Sequence, residues 1–286
     1  MHRVLFELFV VWLLAFLATT ATLPAGAVEK VHFEAAVLPP SPLRLRLAEQ
    51  QGIALEPELP APLWGYLDKP AGQGPFPAVV ILHGCDGLPP GGPPSTAWLT
   101  EQGYVTLMVD SLGPRNLESG CFGDIGAAER VLDAYGAAAY LSGLPFVEGE
   151  PLAVMGWSQG GSTALDAVIE EGIGRPLGRP FRAAVAVSPW CGYAKALYAP
   201  ILILSGEADE WTPARFCRRT VEALPAHSAP AEIVVYPGVH YGFTAPELAE
   251  GRYFDAGNRR FWLQYDDEAA RDALARARTF LAGHLN

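Results

Sequence analysis

Short apolar runs recur along this chain, each broken by Gly, Pro, Asp or Ser. Residues 77–82 (PAVVIL), 104–109, 152–155, 182–187, 200–204 (PILIL) and 232–236 are such runs. Their near-continuous β-branched and aliphatic character suits strands buried on both faces of a parallel sheet. Longer stretches with helical spacing lie between them: residues 125–144, the segment from Ser162 with Ala164, Leu165, Ala167, Val168 and Ile169, residues 213–224, and an amphipathic closing helix over 267–285. Ahead of these, residues 28–62 are interrupted by Pro39, Pro40, Pro42 and Pro60, which predicts an edge strand near 31–36 and an irregular connection. Residues 63–68 read as a second strand and 69–75 as a turn. Strands alternating with helices imply an α/β fold, a mostly parallel central sheet with helices on both faces.

In such a sheet, ligands sit at the carboxyl ends of the strands. The exit of the run at 152–155 is Gly156-Trp157-Ser158-Gln159-Gly160, a match to G-x-S-x-G, followed by Gly161. This pattern describes a strained strand-to-helix turn that lifts a serine above the sheet and needs small neighbours two residues away. A helix starting there points backbone N–H groups at any oxyanion formed. The blander reading is a plain glycine turn capped by Ser158. What separates the two is the company the serine keeps.

Two further strand exits hold partners. Residues 205–210 (SGEADE) offer Asp209, with Glu207 and Glu210 as rivals, and residues 237–243 (PGVHYGF) offer His240. Asp110 ends an earlier strand and is a more remote candidate acid. Ser158, Asp209 and His240 stand in the order of an α/β-hydrolase triad. The chemistry explains the set: a serine hydroxyl is a poor nucleophile until an imidazole takes its proton, and a carboxylate fixes the imidazole tautomer. After the run at 77–82 comes His83-Gly84-Cys85-Asp86-Gly87, a turn able to bring a backbone N–H to a bound carbonyl oxygen, with His83 orienting the loop. Trp190, Tyr193, Trp211 and Tyr241 lie on the exit loops and are candidates to line the substrate pocket.

Composition narrows the partners. With 286 residues and 50% hydrophobic content, one large domain is expected over 28–286. A formal net charge of −11 argues against nucleic acid or an anionic membrane surface. Residues 1–27 read as a secretory signal peptide: Arg3, then an apolar run over 4–17 broken by Glu7, then Ala25-Gly26-Ala27 as a cleavage site. The run is short for a membrane span, so no stable anchor is expected after cleavage. Export to a periplasmic or extracellular space makes disulfides among Cys85, Cys121, Cys191 and Cys217 plausible, with three full pairings open and Cys121 expected in a bridge. There is no C-x-x-C and no clustered histidine, so no metal site is expected.

The segments LHGCDG, DSLGPR, GWSQGG, GEADEWTP and PGVHYGF, with the helix after YDDEAARDA, resemble the dienelactone hydrolase family of α/β-hydrolases over residues 63–285. The resemblance implies esterase or lactonase activity without a cofactor, a triad of Ser158, Asp209 and His240, and the backbone N–H groups of Cys85 and Gln159 as oxyanion donors. The chain departs from the family in two ways. Dienelactone-cleaving members use a cysteine nucleophile, where this chain has Ser158. They also hold the substrate carboxylate with paired arginines; Arg115 lies in one comparable loop, but no arginine follows closely on His240. The expectation is therefore a serine hydrolase of small esters or lactones. Alternatives are a peptidase or acyltransferase with the same triad, or a non-catalytic binding protein on the same scaffold. Only about ten residues, 189–198, separate two adjacent strand runs where lids are commonly inserted, too few for a large lid domain.

Overall fold

The structure is a computed structural model that describes residues 28–285 apart from 90, 91, 93, 122 and 193. The leader expected over 1–27 lies outside the described residues.

The chain opens with strand β1 (Glu29–Glu34), helix α1 (Pro42–Gln51), β2 (Pro62–Asp68) and β3 (Phe76–Leu82). A short helix α2 (Ala97–Thr100), β4 (Val105–Asp110), α3 (Ala127–Ser142), β5 (Val147–Trp157) and α4 (Gln159–Ala167) follow. Then come β6 (Phe181–Val187), β7 (Ile201–Gly206), α5 (Ala214–Glu222), β8 (Ala231–Tyr236), the strands β9 (Arg252–Ala256) and β10 (Arg259–Leu263), and α6 (Asp267–Leu285). The main sheet has eight strands in the order β1-β2-β4-β3-β5-β6-β7-β8. Only the pairs β1 with β2 and β2 with β4 are antiparallel. The rest are parallel, with registers such as Val80 against Leu107 and Val80 against Val154. This is the mostly parallel, helix-covered architecture of an α/β-hydrolase.

Why the central runs are apolar throughout follows from what covers them. Val80, Leu82 and Val154 point into a core closed by Val131, Tyr135 and Leu141 of α3 and Ala164 and Leu165 of α4. Their neighbours Val79, Ile81, Ala153 and Met155 point to the opposite face, closed by Ala269, Ala273, Ala277 and Leu281 of α6. Successive side chains on a strand alternate faces, so a strand buried on both sides needs no polar positions. The alanine stripe of α6 lets that helix lie close against the sheet.

The structure differs from the sequence reading in three places. Residues 42–51 are helical, not irregular: Ser41 accepts the Arg44 N–H at the N-terminus, Pro42 takes the first turn, and Gly52 ends the helix in the left-handed conformation. Helix α4 starts at Gln159, earlier than Ser162, directly on the turn. Between His240 and α6, a stretch left unassigned forms the hairpin β9–β10, with Gly257-Asn258 as its two-residue loop.

Candidate active site

Ser158 sits where β5 turns into α4, with φ 54° and ψ −120°. A positive φ at a residue with a side chain costs about 1–3 kcal/mol and persists only where its surroundings enforce it. Here they do. The Ser158 N–H donates to Val187 O at 2.8 Å, and its carbonyl accepts the Ser162 N–H at 2.9 Å. A Cβ on Gly156 would collide with the Gly160 backbone, and one on Gly160 with the carbonyls of Leu82 and His83. The two glycines therefore let the turn close and let the β3 exit press against it. Gly84 completes that contact: a Cβ there would stand 3.6 Å from Ser158 Cβ.

This juxtaposition brings the segments of Cys85 and Gln159 to either side of the serine. Among the described residues, neither of those two backbone N–H groups donates to the chain. Gln159 also opens α4, so the partial positive end of that helix lies at Ser158. His83 is 6% exposed and has a structural task. Its Nε2 accepts the Ser111 N–H at 3.1 Å, so Nδ1 carries the proton and donates to Gly84 O at 2.6 Å. Burial, with the nearby Arg130 charge, pulls its pKa down to about 4.

Asp209 follows β7 and is 3% exposed, while Glu207 and Glu210 beside it are exposed. Its carboxylate accepts the Thr212 N–H and the Thr212 hydroxyl, both at 2.7 Å. Burial nonetheless raises its pKa, with the hydrogen bonds from Thr212 opposing. The rival Asp110 is spent elsewhere, accepting from Trp64 Nε1 at 2.8 Å and from the N–H groups of Leu112 and Gly113. His240 is half-buried on the β8 exit loop. That loop is joined to the acid loop by the Ala208 N–H to Val239 O bond at 2.9 Å, and Gly206 abuts the backbone of Val239 and His240. The loops are thus brought together. Among the described residues, however, the His240 ring makes no hydrogen bond to Ser158 or Asp209; the next residue, Tyr241, lies near enough to Ser158 for that serine to favour its ionised form. Burial pushes the Tyr241 pKa up to about 12, so it remains a neutral phenol.

The other expected lining residues separate. Trp190 is 51% exposed, its ring 4.9 Å from that of Phe216, and its N–H donates to Ser162 Oγ at 2.9 Å. It is a rim residue. Tyr193 lies outside the described residues. Trp211 is half-buried, with ring centroids 4.7 Å from both Phe254 and Phe261 of the hairpin and 6.2 Å from Tyr241. The hairpin, which the sequence reading missed, is tied to the histidine loop by the Gln264 N–H to Tyr241 O bond. It holds Tyr241 and Trp211 from behind, so this wall comes from the segment after His240. Arg115 is committed elsewhere: both its terminal nitrogens bind Asp133, at 2.9 and 2.7 Å, and one also binds Ser111 O. As a substrate-carboxylate ligand it would have to give up a buried partner.

All four cysteines are paired, Cys85 with Cys121 and Cys191 with Cys217. The first fastens the loop beside Ser158 to the segment after β4. The second fastens the Trp190 loop to α5. Cys85, Asp86 and Cys121 bring potential ligand atoms within 4.8 Å of one another, but both sulfurs are used in the disulfide and offer no thiolate. The Cys85–Cys121 bridge closes a separation of 36 residues, for which unfolded-chain entropy gives about 4 kcal/mol. A Cys85→Ser/Cys121→Ser double variant should therefore melt lower by on the order of 10 °C in calorimetry. An unchanged Tm would show that the bridge does not constrain the unfolded chain.

Two uncharacterised proteins of Mycobacterium tuberculosis are each 30% identical over 151 residues, 45% of this chain and 50% of theirs, so the chain spans about half the length of these curated relatives. Among solved structures, a dienelactone hydrolase-like promiscuous phosphotriesterase from metagenomic libraries superposes with a TM-score of 0.64 at 17% identity, covering 91% of this chain and 100% of that one. Thermogutta terrifontis esterase 2 gives a TM-score of 0.59 at 20% identity, covering 77% of this chain and 89% of that one. At these identities the superpositions show the shared fold. The family model of the dienelactone hydrolases matches residues 63–285, from β2 to the end of α6, and the chain belongs to the dienelactone hydrolase family.

Proposed function

We propose that this protein is an exported serine hydrolase that cleaves small carboxylic esters or lactones through an acyl-enzyme. The observation that carries the reading is the enforced backbone of Ser158, φ 54°, at a central strand exit with the Cys85 and Gln159 segments beside it. Ser158 Oγ attacks the substrate carbonyl while His240 takes its proton, and Asp209 stabilises the imidazolium. The N–H groups of Cys85 and Gln159 receive the charge on the carbonyl oxygen. His240 then gives its proton to the departing alkoxide, which leaves an ester on Ser158. Water, deprotonated by His240, attacks that ester, and the carboxylic acid departs as Ser158 regains its proton. The working hydrogen bonds of the His240 ring form with substrate bound; such bonds are often loose before substrate binds.

A fluorophosphonate probe tests the assignment. Labelling mapped to Ser158 by mass spectrometry is expected, and a folded protein that stays unlabelled and turns over no ester would overturn the reading. Substrate size follows from the connection between β6 and β7, which is too short for a lid. A long acyl chain left in water gains little of the roughly 0.8 kcal/mol available per buried methylene. Across p-nitrophenyl esters, kcat/KM should be highest for short acyl groups, with no jump above the micellar threshold; an optimum at long chains would show a deeper pocket than this. Export is supported by the pattern of residues 1–27 and by the two disulfides. N-terminal sequencing of periplasmic or secreted protein should begin at Val28.

A further inference from the structure

We propose that Arg130 is a positioning residue for the oxyanion hole: its guanidinium bridges the Gln159 side chain and the His83 carbonyl, one from each segment that flanks Ser158, and fixes the separation of the two segments. The inference rests on the hydrolase reading above and adds a residue to it.

Arg130 lies on α3, 1% exposed, where a cation has no reason to be unless it is held. One terminal nitrogen donates to Gln159 Oε1 and the other to His83 O, each at 2.6 Å. Gln159 belongs to the elbow segment and His83 to the β3 exit. The circuit continues: Gln159 Nε2 donates to Gly120 O at 3.1 Å, and the Gly120 N–H donates to Cys85 O at 2.7 Å. Arg130, Gln159, Gly120 and the 83–85 segment therefore form a closed ring of hydrogen bonds around the place where the two N–H donors meet. The Cys85–Cys121 disulfide runs alongside it. A bridge with two rigid prongs is what a guanidinium supplies and an ammonium does not.

The charge of Arg130 has a second consequence. Asp133, fully buried, binds Arg115 through both oxygens and also faces Arg130. Arg115 thus engages Asp133 directly, and Arg130 keeps its two terminal nitrogens on the segments beside Ser158. Burial draws the Arg130 pKa down to about 10, with Asp133 opposing, so the group is still a cation at neutral pH. Fixed dipoles and charges aimed at a developing oxyanion act in the transition state more than in the ground state.

A bridging role predicts an effect on turnover, where a purely structural arginine would lower stability alone. In Arg130→Met, kcat for p-nitrophenyl butyrate should fall by about 10²-fold with KM little changed, as for the loss of one oxyanion donor. Affinity for a phenylboronic acid, whose adduct with Ser158 is tetrahedral and anionic, should fall in parallel. Arg130→Lys should recover part of both, since it restores the charge and one prong. A folded Arg130→Met with wild-type kcat and boronate affinity would overturn the proposal, whatever its Tm. Should Arg130→Met fail to fold, Gln159→Met cuts the same ring while leaving Arg130 to Asp133 and His83 O, and unchanged kcat there would overturn it equally. Wild-type protein that turns over ester and reacts with fluorophosphonate at Ser158 keeps the hydrolase reading standing in either case; wild type that does neither sinks that reading, and this one with it.

Discussion

Ser158→Ala should leave a folded protein whose ester turnover is close to absent. In serine proteases the loss of the nucleophile costs about 10⁶ in kcat, and what remains comes from oxyanion stabilisation and binding alone. The backbone around Ser158 should be undisturbed. Alanine keeps the Cβ, so the hydrogen bonds of the 158 N–H to Val187 and of the 158 carbonyl to Ser162 survive, and so does the strain of φ 54°. A second variant separates these contributions. Ser158→Gly removes both the nucleophile and the reason for the strain, because glycine takes positive φ freely. It should be as inactive as Ser158→Ala yet more stable, by up to about 1–3 kcal/mol of recovered strain less the flexibility glycine adds to the unfolded chain. Active-site titration and calorimetry on the three proteins check both parts. Ester turnover in Ser158→Ala near that of wild type would end the serine-hydrolase reading.

How much of this was legible beforehand depended on whether a residue's task is local. The central strands announced themselves because burial on both faces leaves no polar positions to confuse the pattern, as in Val79 to Leu82. Ser158, Asp209 and His240 stand out as candidates because they lie after strand runs, and the structure does place them at strand exits, which a parallel sheet gathers at one edge. Helix α1 was hidden by its own composition. Leu43, Leu45 and Leu47 alternate with Arg44 and Arg46, a period of two, and the helix buries none of its residues; caps at Ser41 and Gly52 define it instead. The hairpin did carry a signal, Gly257-Asn258 between runs holding Tyr253, Phe254, Phe261 and Trp262. Its packing on Trp211 carried none, because that contact is long-range and side by side. Arg130 and Asp133 were the hardest to read: on an amphipathic helix, charged residues suggest a solvent face, and only the assembled fold shows them enclosed against Arg115, Gln159 and the β3 exit. The cysteines allowed three pairings, and only spatial proximity selects the one observed.

Asp209→Asn should separate activity from stability most sharply. The carboxylate lies 3% exposed, and burial raises its pKa above the ordinary carboxylate value. A group whose folded pKa is raised favours the fold when protonated, so the wild type bears no penalty below the unfolded pKa and progressively more as pH rises through the folded pKa. Above the folded pKa the penalty of keeping this charge buried is present, offset in part by Thr212. Asparagine removes the charge and can keep both contacts, with Oδ1 accepting the Thr212 N–H and Nδ2 donating to the Thr212 hydroxyl oxygen. Asp209→Asn is therefore expected to be at least as stable as wild type at pH 7, with its advantage shrinking as the pH is lowered into the carboxylate range. Turnover should move the other way. In the proposed mechanism an amide could no longer fix the His240 tautomer or stabilise the imidazolium, and kcat should fall by about 10⁴-fold. Glu210→Gln, at an exposed position, is the control and should change neither. A steeper loss of kcat in Glu210→Gln than in Asp209→Asn would move the acid to Glu210, while a neutral-pH Tm well below wild type in Asp209→Asn would mean that the charged carboxylate holds the acid loop together more than its burial costs.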